Sequence, residues 1–280
     1  MAKYNFKHLF IIIIIFVFGC EKSHDTSPNI VFILTDDLAY ADLSSYGSEF
    51  ITTPNIDKMA NDGVKLTSYY AAQAVCSASR AAILTGCYPN RLGISGAFGP
   101  NSKKGINPDE LLLSEMLKNN NYKTGIFGKW HLGDAEKFMP TNHGFDEFYG
   151  ILFSNDMWPY HPEFPGAYPE DLLLYRNTEP VEALIDQSDL TKNITDESIR
   201  FIDENKDNQF FLYIAHPQPH VPLFASKEFD GSTGKGLFAD VITEIDFSVG
   251  RIIDALEKNG LSENTVCLLY TSDAADDDHC

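Results

Sequence analysis

Residues Asn29–Thr35 (N-I-V-F-I-L-T) form an unbroken apolar run that ends at Asp36-Asp37. A run with no polar alternation predicts a strand buried on both faces, as in a parallel sheet. Residues 122–128, 210–215 and 265–270 have the same character. Between these runs the apolar positions recur at helical spacing. Residues 109–119 place Leu112, Leu113, Met116 and Leu117 on one face; 190–205 do so with Ile194, Ile199, Phe201 and Ile202. Residues 240–259 carry Val241, Ile245, Val249, Ile252, Ile253 and Leu256 on one stripe. At 54–62, Thr53 is placed to cap a helix with Pro54 at its first position. Strands alternating with helices predict an α/β layer fold whose mainly parallel sheet is flanked by helices. The aromatic and Pro-rich stretch 156–175 reads as a long loop of the kind that borders binding sites.

The chain ends read differently. Lys3 and Lys7 precede ten consecutive apolar residues, 9–18, too few to span a bilayer as a helix. The run closes on Gly19-Cys20, which resembles the lipobox of bacterial lipoproteins. That resemblance implies a signal peptide over 1–19, lipidation of Cys20 and a linker over 20–28. The protein is then exported to the periplasm or cell surface and held to the membrane by lipid rather than by a spanning helix. At the other end, residues 267–280 resemble the in-frame translation of a sequencing adapter, which confines genuine sequence to residues before 267. A natural strand over 265–271 with an acidic tail is the alternative.

Composition narrows the partners. The chain has 280 residues, 44% of them apolar and 12% aromatic, which supports a buried core and excludes disorder. Forty acidic against 21 basic side chains give a net charge of −19, which argues against a nucleic-acid partner. It leaves room for a small anionic substrate, because one pocket can differ in sign from the surface as a whole. The five cysteines are too scattered for a disulfide framework.

Polar residues gather just after the predicted strands: Asp36-Asp37, Lys129-Trp130-His131, then His216 and His220. In open α/β sheets that edge is where ligands bind. Adjacent carboxylates there suit a hard divalent cation, although such a pair also serves as a turn cap. In Val75-Cys76-Ser77-Ala78-Ser79-Arg80, followed by Ala-Ala-Ile-Leu-Thr-Gly, Cys76 falls at a helix N-terminus that favours negative charge. Arg80 lies one turn on. An activated sulfur nucleophile beside an anion site is one reading; a buried structural cysteine is the other.

The Cys-x-Ala-x-Arg segment resembles the signature of the type I sulfatases, whose consensus is Cys-x-Pro-x-Arg and whose cysteine is oxidised to formylglycine (3-oxoalanine). The resemblance continues through 29–37, Thr53-Pro-Asn-Ile-Asp57, Gly125 to Gly133 (G-I-F-G-K-W-H-L-G), Gly144 to Gly150, Ser154-Asn155-Asp156 and Pro219-His-Val-Pro222. It implies an alkaline-phosphatase-like α/β sandwich, with a catalytic domain running from residue 29 to 266. It also implies hydrolysis of sulfate esters of carbohydrates or of aryl and alkyl alcohols, and maturation by a formylglycine-generating enzyme. By the same resemblance Asp36 and Asp37 hold Ca²⁺, while Lys129 and Arg80 neutralise the sulfate. Cys76 as hydrated aldehyde attacks sulfur, His220 protonates the departing alcohol, His131 acts as base, and Ser154 contacts substrate. Ser154-Asn155-Asp156 is also ordinary turn chemistry. The family completes its metal site with an Asp-Asn pair after a later strand; here Asp273 takes the position of that Asp ligand, and Ala274 stands where the Asn is usual. The family's second lysine and small C-terminal subdomain have no counterpart here. The sandwich is therefore expected to be C-terminally truncated, with weak or no turnover by this chain and activity in the full-length gene product. A phosphate or phosphonate ester hydrolase of the same superfamily, and a non-catalytic glycan-binding lipoprotein, are the competing readings.

Overall fold

The computed structural model describes residues 27–271. The expected signal, Cys20 and Asp273 lie outside the described residues. Seven strands form one sheet in the order β5-β4-β3-β2-β6-β1-β7. They are β1 (Asn29–Thr35), β2 (Lys123–Lys129), β3 (Glu147–Ile151), β4 (Leu173–Arg176), β5 (Glu179–Ala183), β6 (Phe210–Ala215) and β7 (Thr265–Thr271). Strands β3, β2, β6, β1 and β7 run parallel, and β4 and β5 are antiparallel at one edge. The sheet is mixed but mainly parallel, as the apolar runs predict. Residues 265–271 form a strand paired in register with β1 from Asn29↔Thr265 to Thr35↔Thr271.

Helices cover both faces. They are α1 (Pro54–Asp62), α2 (Cys76–Thr85), α3 (Leu113–Lys118), α4 (Leu190–Asn205) and α5 (Leu237–Lys258). Alternation along the central strands divides the core. On β6, Phe210, Leu212 and Ile214 pack with Phe201 and Ile202 of α4 and Val249 and Ile252 of α5. Phe211, Tyr213 and Ala215 face the opposite layer, where Ala78, Ala81 and Leu84 of α2 lie. This continuous burial on two faces is why the strands read as unbroken apolar runs.

Three expectations need correction. Helix α3 starts at Leu113 rather than 109, because residues 107–110 turn and the Leu112 amide is held by the Glu115 carboxylate at 2.8 Å. Helix α5 starts at Leu237 rather than 240, behind Gly236 at φ 99°. Thr53 stands at the N-cap of α1, but its hydroxyl bonds Ser44 and Asp57 side chains instead of a helix amide. The first-turn amides of Asn55 and Ile56 donate to Asp246 of α5 instead, at 3.3 and 2.9 Å.

Candidate active site

The site lies where the parallel strands end. Asp36 follows β1, Lys129 closes β2, Ser154 lies just beyond β3, and His220 is on the loop after β6. Helix α2 brings Cys76 in its first turn and Arg80 one turn later. Two glycines let the strand ends approach. A Cβ on Gly128 would lie 1.9 Å from the Ala215 carbonyl oxygen, and one on Gly150 would lie 1.8 Å from that of Gly128. Asp37 and His131 both take left-handed backbone, φ 65° and 58°, a region that Asp and His enter more readily than most residues. Those conformations turn the chain sharply away from each strand end.

Asp36, Arg80 and Lys129 are wholly buried. One Asp36 oxygen pairs with Arg80 Nη2 at 3.1 Å, and the other accepts from Lys129 Nζ. Lys129 Nζ also donates to Ser154 Oγ at 2.8 Å, and Arg80 Nη1 donates to the Lys129 carbonyl at 2.6 Å. His131 and His220 both lie beside the Cys76 side chain. His131 Nε2 bonds the Phe98 carbonyl at 2.8 Å, and the Phe98 amide donates to Ser77 Oγ at 3.0 Å, so α2 and β2 are joined through one backbone residue. His220 Nδ1 bonds the Val221 carbonyl at 2.5 Å, which leaves Nε2 facing Asp37 Oδ2 at 3.7 Å.

The electrostatics follow from this crowding. Burial pushes the Asp36 carboxyl up, as does the charge of Cys76, but Lys129, Arg80 and His220 outweigh them and hold it below the usual range. Burial, then the charge of Asp36, pushes Asp37 up to about 7. Burial and Lys129 lower His220, yet its bond to Cys76 and the charges of Asp36 and Asp37 raise it to about 9. Burial, then Lys129, lowers His131. The two histidines flanking Cys76 are thus separated in basicity, one an acid near neutral pH and the other neutral.

A family model for sulfatases matches residues 28–276. The chain belongs to the sulfatase family. It is similar to an arylsulfatase of Hemicentrotus pulcherrimus, 36% identical over 268 residues, which cover 90% of this chain and 48% of that protein. It is 38% identical to the N-acetylgalactosamine-6-sulfatase of Rattus norvegicus over 267 residues, 88% of this chain and 50% of that one. The solved structure of Ps i-CgsB in complex with k-i-k-neocarrahexaose superposes with TM-score 0.76 at 33% identity, covering 88% of this chain and 58% of the other. This sulfatase-family chain has the alkaline-phosphatase-like fold and spans about half the length of the curated relatives it matches. Among the described residues of this family member, no group of three or more His, Cys, Asp or Glu side chains is clustered so as to hold a metal ion. The two carboxylates of Asp36 and Asp37 still fit a hard cation in chemistry, since Ca²⁺ takes six to eight oxygens. Burial and the neighbouring Asp36 charge, which push Asp37 up, are the conditions that a cation between the two carboxylates would relieve.

The structure brings Asp36, Asp37, Cys76, Arg80, Lys129, His131, Ser154 and His220 of this sulfatase-family chain into one cluster at the strand ends. His216 stands apart, buried just beyond β6 with its Nε2 bonded to Ser248 Oγ at 3.1 Å. His143 packs on Trp130, and His161 accepts loop amides from Glu163 and Phe164. Sequence reasoning missed the Phe98 carbonyl and the Asn155–Gln187 pair behind His220. A backbone acceptor leaves no signature in the letters, while Asn155 could have been suspected from its place beside Ser154.

Proposed function

We propose that the mature protein is a sulfuric ester hydrolase acting on sulfated carbohydrate through a formylglycine made from Cys76. The observation that carries this reading is Cys76 in the first turn of a helix, with His131 and His220 beside it and the buried Arg80 and Lys129 paired to Asp36. A sulfate ester is an anion, so Lys129 and Arg80 bind and neutralise its oxygens before any nucleophile approaches. Position 76, once converted to formylglycine, would supply an oxygen nucleophile able to part from sulfate by elimination, chemistry that a thiol lacks. Asp36 and Asp37 would hold Ca²⁺, which supplies further positive charge to the sulfate. His220, its Nδ1 engaged by the Val221 carbonyl and its Nε2 directed toward Asp37, is placed to hold a proton at Nε2 for the departing alcohol. His131 donates from Nε2 to Phe98, which leaves Nδ1 as a proton acceptor. Ser154 orients Lys129 and faces the same anion.

Similarity to an N-acetylgalactosamine-6-sulfatase and to a structure holding a neocarrahexaose supports sulfated carbohydrate as the substrate class. Residues 1–20 support export and lipid attachment at Cys20, with a formylglycine maturase as the transient partner. The test is full-length protein coproduced with a cysteine-type maturase. Formylglycine by peptide mass at position 76, with aryl sulfate turned over faster than aryl phosphate, is the expected result. Preference for phosphate would move the assignment to the phosphate or phosphonate hydrolases. An unmodified Cys76 with no turnover would support a glycan-binding role.

A further inference from the structure

His220 must present Nε2 accurately, yet it stands on a loop, and a loop needs something to hold it. That hold comes from the neighbour of Ser154. Asn155 is wholly buried, and its Nδ2 donates to the carbonyls of His220 and Pro222 at 3.3 and 3.2 Å. Gln187, just before α4, donates from Nε2 to the Asn155 carbonyl at 3.0 Å and fixes Asn155 from behind. From the other side, Gln218 Nε2 also donates to the Pro222 carbonyl at 3.2 Å, and the Gln218 carbonyl accepts from the Asp36 amide at 3.3 Å. One dipeptide therefore touches both halves of the pocket: Ser154 holds Lys129, on the side of the sulfate charge, and Asn155 holds the loop of the proton donor.

We infer that Asn155 is a positioning residue that sets His220 for proton transfer to the departing alcohol. It touches neither substrate nor reacting atoms and acts only through the 218–222 loop. The inference rests on the proposed role of His220, and the two can fail separately. Alcohols differ in their need for a proton: a nitrophenolate leaves without one, whereas a sugar alkoxide does not.

In the matured full-length protein, Asn155→Asp replaces the donor with an oxygen facing two carbonyls. It is expected to lower kcat for a sugar sulfate roughly 100-fold, the low end of acid catalysis, while kcat for nitrophenyl sulfate stays within about threefold. KM should hold for both substrates. A general loosening of the fold would instead lower both turnovers together, and equal losses, or none, would overturn the inference. If Asn155→Asp does not fold, Asn155→Ser, which drops both bonds without adding charge, carries the same test. His220→Ala separates the two claims. If it shows no leaving-group dependence, the reading of His220 as acid fails. Hydrogen exchange then still tests the hold, because Asn155→Ser should deprotect 216–224 selectively, and unchanged protection there would sink it.

Discussion

Asp36 meets a guanidinium and an ammonium in a place with no solvent, and that sets what single substitutions do. Asp36→Asn leaves two buried cations facing each other and should destabilise the fold by about 3–5 kcal/mol, read as a lower urea midpoint. Cys76→Ala removes one sulfur and leaves Asp36 paired with Arg80 and Lys129. It should hold its unfolding midpoint within roughly 2 kcal/mol while losing turnover altogether. Near-wild-type activity in Cys76→Ala would end the formylglycine reading. The charged and nucleophilic members of this site were legible in the sequence because their chemistry is carried by letters at fixed spacing. Asn155, Gln187 and the Phe98 carbonyl were not, since each acts through backbone groups that only the fold brings near.

Helix α1 shows how elements depend on one another. Its first-turn amides are met by Asp246 from the middle of α5, about 190 residues away in sequence. Asp246→Ala strips two amide partners and the Asn55 side-chain bond at once, and about 2 kcal/mol of stability should go with them. Thermal unfolding would show this as a lower midpoint, and an unchanged midpoint would mean that water replaces the carboxylate freely. No local pattern announces such a cap, which is why Thr53 reads as one from sequence. Helix α1 begins at Pro54 as its first-position proline predicts, and strands β1 and β6 and helix α4 match the apolar patterns end to end because burial on the expected faces dictates them. Strands β3, β4 and β5 do not. Strand β3 is five residues with a glycine, and β5 is exposed throughout and contains Pro180, as edge strands tolerate. The β4–β5 turn rests on Asn177 at φ 56°, whose side chain also accepts from the Phe148 amide.

At the scale of the molecule, a cationic pocket sits in a chain of net charge −19. Long-range repulsion should slow the approach of a multiply sulfated glycan, so its kcat/KM should rise as ionic strength increases from about 10 to 150 mM. A singly charged aryl sulfate should respond much less, and equal responses would place the effect at the site itself. Stability has a pH dependence of its own. Burial lowers His216 to about 4, against 6.5 for the free side chain. Between those values the unfolded chain binds the extra proton, so stability climbs with pH across that window and levels above it. The contribution is on the order of 3 kcal/mol. His216→Gln should flatten the rise in denaturant midpoints between pH 4 and 6.5. The buried Asp36–Arg80–Lys129 cluster has a further consequence for descent. A lineage that stops using this chemistry cannot shed these three charges one at a time without losing the fold. Position 76 can drift first, since a change there leaves the pairs of Asp36 with Arg80 and Lys129 in place. Retired members of such a lineage would then keep the charged triad as a relic, and the residue at 76, rather than the triad, separates working descendants from silent ones.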